Sequence, residues 1–321
     1  MLERVADEHA IRPTGAPASA LDHADPDERA VDRLGLGAFV GAVVIGGSNF
    51  VAIRYSNREL DPLWGAGLRF GLAAVLFGLL CAALRLRLPR GRPLLLVAVY
   101  GLLAFGAAYG CLYWAMQEVP AGIAAVVLAA GPLLTLLLAV GHGMERLGTR
   151  ALVGALVALA GSVLIFFQPG AVAFGVGSFA LLGIAAVCAS ESVVVSKLAG
   201  RQHPVAMNFV GMSAGTLVLL IAAAVAGERF ALPAEGETQL ALVYLVAATV
   251  GLFMLVLVVV QRWSASVTSY VFVLMPIVAI ALGALVADEP ITVTTVAGGA
   301  IVCAGVYVGA TRRTETRNRA T

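Results

Sequence analysis

Charge is what this chain has least of. Only 12% of its 321 residues are Asp, Glu, Lys or Arg, while 60% are hydrophobic. Water-soluble domains carry about 25% charged and about 45–50% apolar residues, so a wholly aqueous fold could not cover its surface here. An excess of either sign is missing as well. With 21 basic and 19 acidic residues the net charge is +2, and no nucleic-acid partner is expected without a concentrated basic face. Cysteine is scarce. Cys81, Cys111, Cys188 and Cys303 all lie in apolar stretches without paired spacing, and they read as small buried hydrophobes, with no disulfide, metal site or cofactor expected. The motifs of a membrane-embedded enzyme are absent: no HExxH, no Ser/His pair, and four scattered histidines,. A channel is the other alternative, and no TVGYG-like filter is visible,. Residues 1–33 lack any apolar core and hold eight acids and four arginines, which excludes a cleavable signal peptide and predicts a disordered cytoplasmic tail.

What the chain has instead is apolar length. A helix needs about 20 apolar residues to cross ~30 Å of hydrocarbon, because only a helix satisfies its backbone groups internally. Ten stretches qualify: 36–53, 63–84, 94–116, 119–140, 151–167, 175–195, 205–226, 240–260, 263–287 and 291–310. The uncharged run from Ala151 to Ser190 is too long for one crossing and is divided at Gln168-Pro169-Gly170, where proline ends a helix and glycine tolerates a turn. With the N-terminus inside, thirteen basic residues fall in inner connections and the C-terminal tail, against Arg54, Arg58 and Arg229 outside. The positive-inside rule therefore predicts both termini in the cytoplasm, in a multi-pass protein of the plasma or inner membrane.

The two halves resemble each other. Pro132, Glu145, Gly154 and Gly161 recur as Pro276, Glu289, Gly298 and Gly305 at a constant offset of 144 residues. Five helices per half turn the second copy upside down. The fold class expected is thus an all-α integral membrane protein, ten transmembrane helices arranged as two inverted five-helix repeats. Their bounds are 36–168 and 175–310, with a basic cytoplasmic tail over 311–321. Inverted halves can exchange conformations around a fixed midplane site, which moves an opening from one face to the other. A secondary transporter follows, with a small-molecule substrate that is proton-coupled or not, the lipid bilayer as its surroundings, and a monomer or homodimer as its state. Close helix crossings are expected at Gly37/Gly41, Gly67/Gly71, Gly106/Gly110, Gly211/Gly215 and Gly305/Gly309,.

Gly47-Ser48-Asn49-Phe50-Val51-Ala52-Ile53-Arg54, with Asp61-Pro62 and Arg69, resembles the first two helices of the drug/metabolite transporter superfamily, EamA type. The blocks Pro132…Glu145-Arg146-Leu147 and Pro276…Glu289-Pro290-Ile291 resemble its fourth-to-fifth and ninth-to-tenth helix junctions. The resemblance covers residues ~36–309 in two tandem copies. It implies export or exchange of small metabolites, amino acids or drugs, and a central cavity lined mainly by helices one, three, four, six, eight and nine. Gly46 stands where many members carry a tryptophan.

Polar residues within the apolar stretches are the candidate substrate-binding or coupling positions. Arg69 lies inside the second helix, where a charge costs about 2.5–3.5 kcal/mol on insertion scales. It either snorkels to the outer surface or faces the bundle, in an ion pair with Glu118 or an anion contact. Glu191 is the one acid well inside a hydrophobic stretch, about 9 Å along the axis from Lys197. It reads as a proton-coupling or substrate-contacting carboxylate, or as a solvated group in a cytoplasmic vestibule. Ser48 and Asn49 follow Gly46-Gly47 and either hydrogen-bond a ligand or cap and pack helices,. Tyr109, Tyr113 and Trp114 share a stripe; the last two read as an interfacial belt and Tyr109 as a deeper cavity residue. Tyr270 and Asn208 are further polar candidates. Pro132 and Pro276 each free a backbone carbonyl and predict kinks for gating. Glu145 and Glu289 read as helix-junction residues and His142 as interfacial.

Overall fold

The computed structural model describes residues 26–119, 124, 127–166, 175–286 and 293–310, and no strand occurs among them. The chain divides into Met1–Leu34 and a second unit, Gly35–Thr321, which holds every site discussed below. Helices among the described residues are α1 (Pro26–Ser56), α2 (Pro62–Ala83), α3 (Arg92–Ala115), α4 (Gly131–Gly141), α5 (Thr149–Phe166), α6 (Val176–Leu198), α7 (Pro204–Ala226), α8 (Gly236–Arg262), α9 (Ala265–Val286) and α10 (Val293–Ala310). Five of them, α2, α3, α6, α7 and α8, are long and apolar enough to cross a bilayer. Shorter apolar helical stretches run Gly131–Gly141, Thr149–Gly161 and Val296–Gly309.

Helix ends follow local chemistry. Pro62 and Pro204 open α2 and α7 in their first turns, where a missing N–H forfeits no intrahelical bond. Gly227 closes α7 at φ 72°, a conformation open to glycine without cost. Between α8 and α9 the chain bends at Trp263, which is extended, and the Ser264 hydroxyl accepts from Val267 N–H at 3.2 Å. The helix predicted from residue 263 therefore starts at Ala265. Two boundaries depart further from expectation. α1 begins at Pro26, inside the stretch predicted to be a disordered tail. The fourth apolar stretch turns at Ala129 and Ala130 before α4 starts. The predicted break at residues 168–170 lies outside the described residues, but helices flank it on both sides.

Glycine decides how closely the helices pack. A Cβ on Gly101 would strike the Gly211 backbone, and one on Gly215 would lie 2.7 Å from Gly101 O, so α3 and α7 touch backbone to backbone. α3 widens into a π-helical stretch, Leu102–Ala108, at this crossing. α5 and α10 meet reciprocally: a Cβ on Gly154 would lie 2.8 Å from Gly305 O, and one on Gly161 2.8 Å from Gly298 O. The 144-residue offset converts the first contact into the second. Gly67, Gly71 and Gly110 also face neighbouring helices, whereas Gly37 meets nothing. Contacts of this kind replace the hydrophobic drive that lipid does not supply between helices.

Candidate functional site

A partly open cavity lies inside the bundle. Gly46, Asn49 and Ile53 line it from α1, Ala108, Tyr109 and Leu112 from α3, and Ala189 from α6. Leu252 of α8, Phe272 and Met275 of α9, and Leu128 complete it. Almost all of these side chains are apolar, as in most small-molecule sites. A side chain on Gly46 would run into Met275, whose sulfur lies 2.7 Å from the Cβ position, so the methionine occupies the room a larger residue would need.

Asn49 is the polar exception. It is 4% exposed, and neither Oδ1 nor Nδ2 has a hydrogen-bond partner. Leaving a buried amide unpaired costs about 1–3 kcal/mol per group, so an orphaned amide on a cavity wall calls for an explanation.

Behind the cavity wall sits Arg69, with no exposed surface. Its Nε donates to Thr249 Oγ1 at 2.6 Å and one Nη donates to the Tyr113 hydroxyl at 3.2 Å. Thr249 in turn donates to Leu245 O at 2.6 Å. The other Nη has no partner. The guanidinium lies over Phe70 at 5.1 Å and Tyr109 at 5.3 Å from the ring centroids, within an aromatic cluster that includes Phe105 and Phe253. Cation–π contact partly offsets desolvation of the charge. Neither the snorkelling nor the Glu118 pairing predicted for Arg69 occurs. Glu118 instead accepts from the Ser178 hydroxyl at 2.5 Å. Tyr113, expected in an interfacial belt, is fully buried and its hydroxyl accepts from Arg69, while Trp114 is 41% exposed.

The remaining candidates separate from the cavity. The Ser48 hydroxyl donates to Ile45 O at 2.8 Å and shares a hydrogen bond with the Tyr244 hydroxyl. Tyr270 is buried along a different, apolar groove, with Phe39, Trp263 and Tyr307. Asn208 is fully buried on α7 with its amide unpartnered. Pro132 falls in the first turn of α4, so it restarts a helix after a turn and frees no carbonyl within one. Pro276 lies within α9 and its side chain is outside the described residues, as is the whole of Glu289. Glu191 Oε1 stands 3.3 Å from Nε2 of His142, and its Oε2 is buried without a partner. His142 Nδ1 lies 2.9 Å from Leu138 O. No sequence spacing signals this carboxylate–imidazole pair, since the residues belong to α6 and to the end of α4.

At one end of the bundle two loops are joined by acidic side chains. Glu228 accepts from Leu63 N–H at 3.1 Å and Trp64 N–H at 2.7 Å, in the first turn of α2. Glu59 accepts from Ala234 and Glu235 N–H at 2.5 and 3.2 Å, just before α8. Asp61 accepts from Arg229 N–H at 2.7 Å, and Trp64 Nε1 donates to Ala231 O at 2.6 Å. The hydrogen bonds foremost from Ala234, then from Glu235 and Thr238, hold the Glu59 carboxyl below its ordinary value against the opposing effect of desolvation. Sequence reading missed this clasp, because its acids are ordinary loop residues until the loops meet.

Comparison with known proteins adds to the geometry. The sequence pattern of the EamA-like transporter family matches residues 33–167 and again 175–310. The uncharacterized inner membrane transporter YedA of Escherichia coli K12 is 34% identical over 283 residues, 85% of this chain and 89% of its own. A protein named as a probable amino-acid metabolite efflux pump of Salmonella typhimurium is 30% identical, across 83% of this chain and 91% of its own. A probable terminal-alkyne amino-acid exporter of Streptantibioticus cattleyicolor is 29% identical, across 88% and 95%. A solved crystal structure superposes with a TM-score of 0.72 at 18% identity, covering 87% of this chain and 97% of that one, which shows likeness of fold alone.

Proposed function

The chain belongs to the EamA-like transporter family and is a multi-pass membrane transporter, and from that premise we propose that it exports a small, largely apolar metabolite by alternating access of the cavity. The carrying observation is the orphaned Asn49 amide on a wall that is otherwise apolar apart from Tyr109. The cavity draws on α1, α3, α6, α8 and α9 together with Leu128, the helix set that the resemblance implies for a central binding site. The names of the Salmonella and Streptantibioticus relatives make amino-acid-derived metabolites the first cargo to test.

Alternating access is carried by two inverted repeats, residues 36–168 and 175–310, within ten crossings. The double family match supports this division. So does the reciprocal α5–α10 contact, since a two-fold relation between halves exchanges Gly154 with Gly298 and Gly161 with Gly305. Both termini lie in the cytoplasm, on the basic-residue bias. The clasp then closes the outer end, and the His142–Glu191 pair lies at the inner end, where Glu191 serves as the coupling carboxylate,.

The test is counterflow in proteoliposomes, after a resistance screen in overexpressing cells has selected candidate solutes. Asn49→Ala is expected to lower counterflow at least tenfold while thermal stability is unchanged or higher, because the amide it removes has no partner in the protein,. Full transport by the variant would remove Asn49, and no solute moved by the wild type would refute export.

A further inference from the structure

We propose that Arg69 is a fixed interior cation that selects cargo by charge, so that the exported molecule carries a carboxylate and organic amines are rejected. This rests on the transporter reading above and adds the charge class of the cargo. Arginine stays protonated in proteins. Its partners here are neutral, the Thr249 and Tyr113 hydroxyls, and one Nη is unpartnered. Among the described residues the ion pairs Arg58–Glu237, His142–Glu191 and Arg229–Asp61 do not include it. Among the described residues, therefore, no carboxylate pairs with this buried positive charge.

That charge is one ring away from the cavity. Tyr109 has Arg69 5.3 Å from its ring centroid and is itself a lining residue. No lining residue of the cavity is acidic or basic, so the arginine sets the sign of its potential from close by. Where water is scarce, an unpaired unit charge acts strongly over several ångströms. An anion on the cargo is attracted and a lone ammonium is repelled. Asn49 completes the discrimination. Its free Nδ2 can donate to a carboxylate and its free Oδ1 can accept from an ammonium,, which admits zwitterions along with simple carboxylates. The apolar remainder of the wall, with Phe272 and Met275, receives a hydrophobic body.

The experiment uses the full purified chain in detergent and three probes that share a phenyl body: phenylalanine, 3-phenylpropionate and 2-phenylethylamine. A ligand that binds the folded state raises the melting temperature by mass action. Phenylalanine and 3-phenylpropionate are expected to stabilise, with apparent affinity at least tenfold above that of the amine. Arg69→Lys keeps the charge and is expected to keep this order. Arg69→Met fills similar space without charge, and is expected to bring acid and amine to within about threefold. If Arg69→Met does not fold, the wild-type panel and Arg69→Lys decide. Equal or better binding of the amine by the wild type overturns the proposal and leaves the transporter reading standing. So does a preference that survives in Arg69→Met. Silence towards all three also overturns it, while the counterflow experiment decides export independently.

Discussion

Removing the Glu228 carboxylate should both loosen one end of the bundle and open it. In Glu228→Ala the Leu63 and Trp64 N–H groups lose acceptors at 3.1 and 2.7 Å. Charge-assisted hydrogen bonds are worth about 1.5–3 kcal/mol each, and a carboxylate at a helix N-terminus adds about 0.3–1 kcal/mol. Water reaches the vacated site and recovers part of this, which leaves a net loss of about 2 kcal/mol. The same contacts join the first turn of α2 to the α7–α8 loop, and on the gating reading proposed above they break when that end opens. The open population therefore rises roughly 30-fold, at 1.4 kcal/mol per factor of ten. The assay uses Ile53→Cys, at a position that is 2% exposed and lines the cavity, in a chain whose four native cysteines are replaced. A membrane-impermeant maleimide applied from the clasp side reads the opening, and a detergent melt reads stability. Glu228→Gln keeps one acceptor and should show about half of each effect. Faster labelling with a lowered melting temperature is the expected result. A lowered melting temperature with unchanged labelling of the Ile53→Cys chain would refute the claim that the clasp is a gate.

Three further outcomes follow from the same geometry. Glu59 has its carboxyl held below the ordinary value near 4.5, so its stabilisation is complete above that value and fades as pH falls through the lower folded value; Glu59→Gln should flatten the acid limb of a melting-temperature profile, and an unaltered limb would count against it. Thr249→Val takes the 2.6 Å acceptor from a buried guanidinium and should destabilise by about 2–3 kcal/mol, more than Tyr113→Phe, in the same melt. Glu191→Gln leaves membrane insertion intact and should abolish the pH dependence of counterflow, since it removes the carboxylate facing His142; persistence of that dependence would exclude Glu191 from coupling.

Much of the architecture was legible from composition and period. Residues 62–83, 92–115, 176–198, 204–226 and 236–262 are helices where long apolar runs, two of them interrupted by Arg69 and Glu191, predict them, because a chain in hydrocarbon has few other ways to satisfy its backbone. The glycines at 211, 215 and 305 were legible too, as only a residue without Cβ permits such contacts. Boundaries that depend on a turn were not. Pro132 looked like a kink within one long helix, yet the chain turns at Ala129 and Ala130 first, and apolarity alone does not distinguish the two.

The sequence by itself determined that the chain is a membrane protein of helices, that Glu191, Ser48, Asn49, Tyr109, Tyr270, Arg69 and Asn208 are polar candidates within its apolar stretches, and that its halves repeat at an offset of 144 residues. Tertiary structure alone decided their duties. Asn49 faces the cavity unpaired while Ser48, its neighbour, spends its hydroxyl on Ile45 and Tyr244. Arg69 found Thr249, from a helix 180 positions away, in place of Glu118. His142 met Glu191, and Glu228 met the start of α2. Helix formation is encoded over a few residues, so it can be read along the chain. Partners are set by which helix faces meet, and the backbone approaches that bring them together are fixed only in the packed bundle.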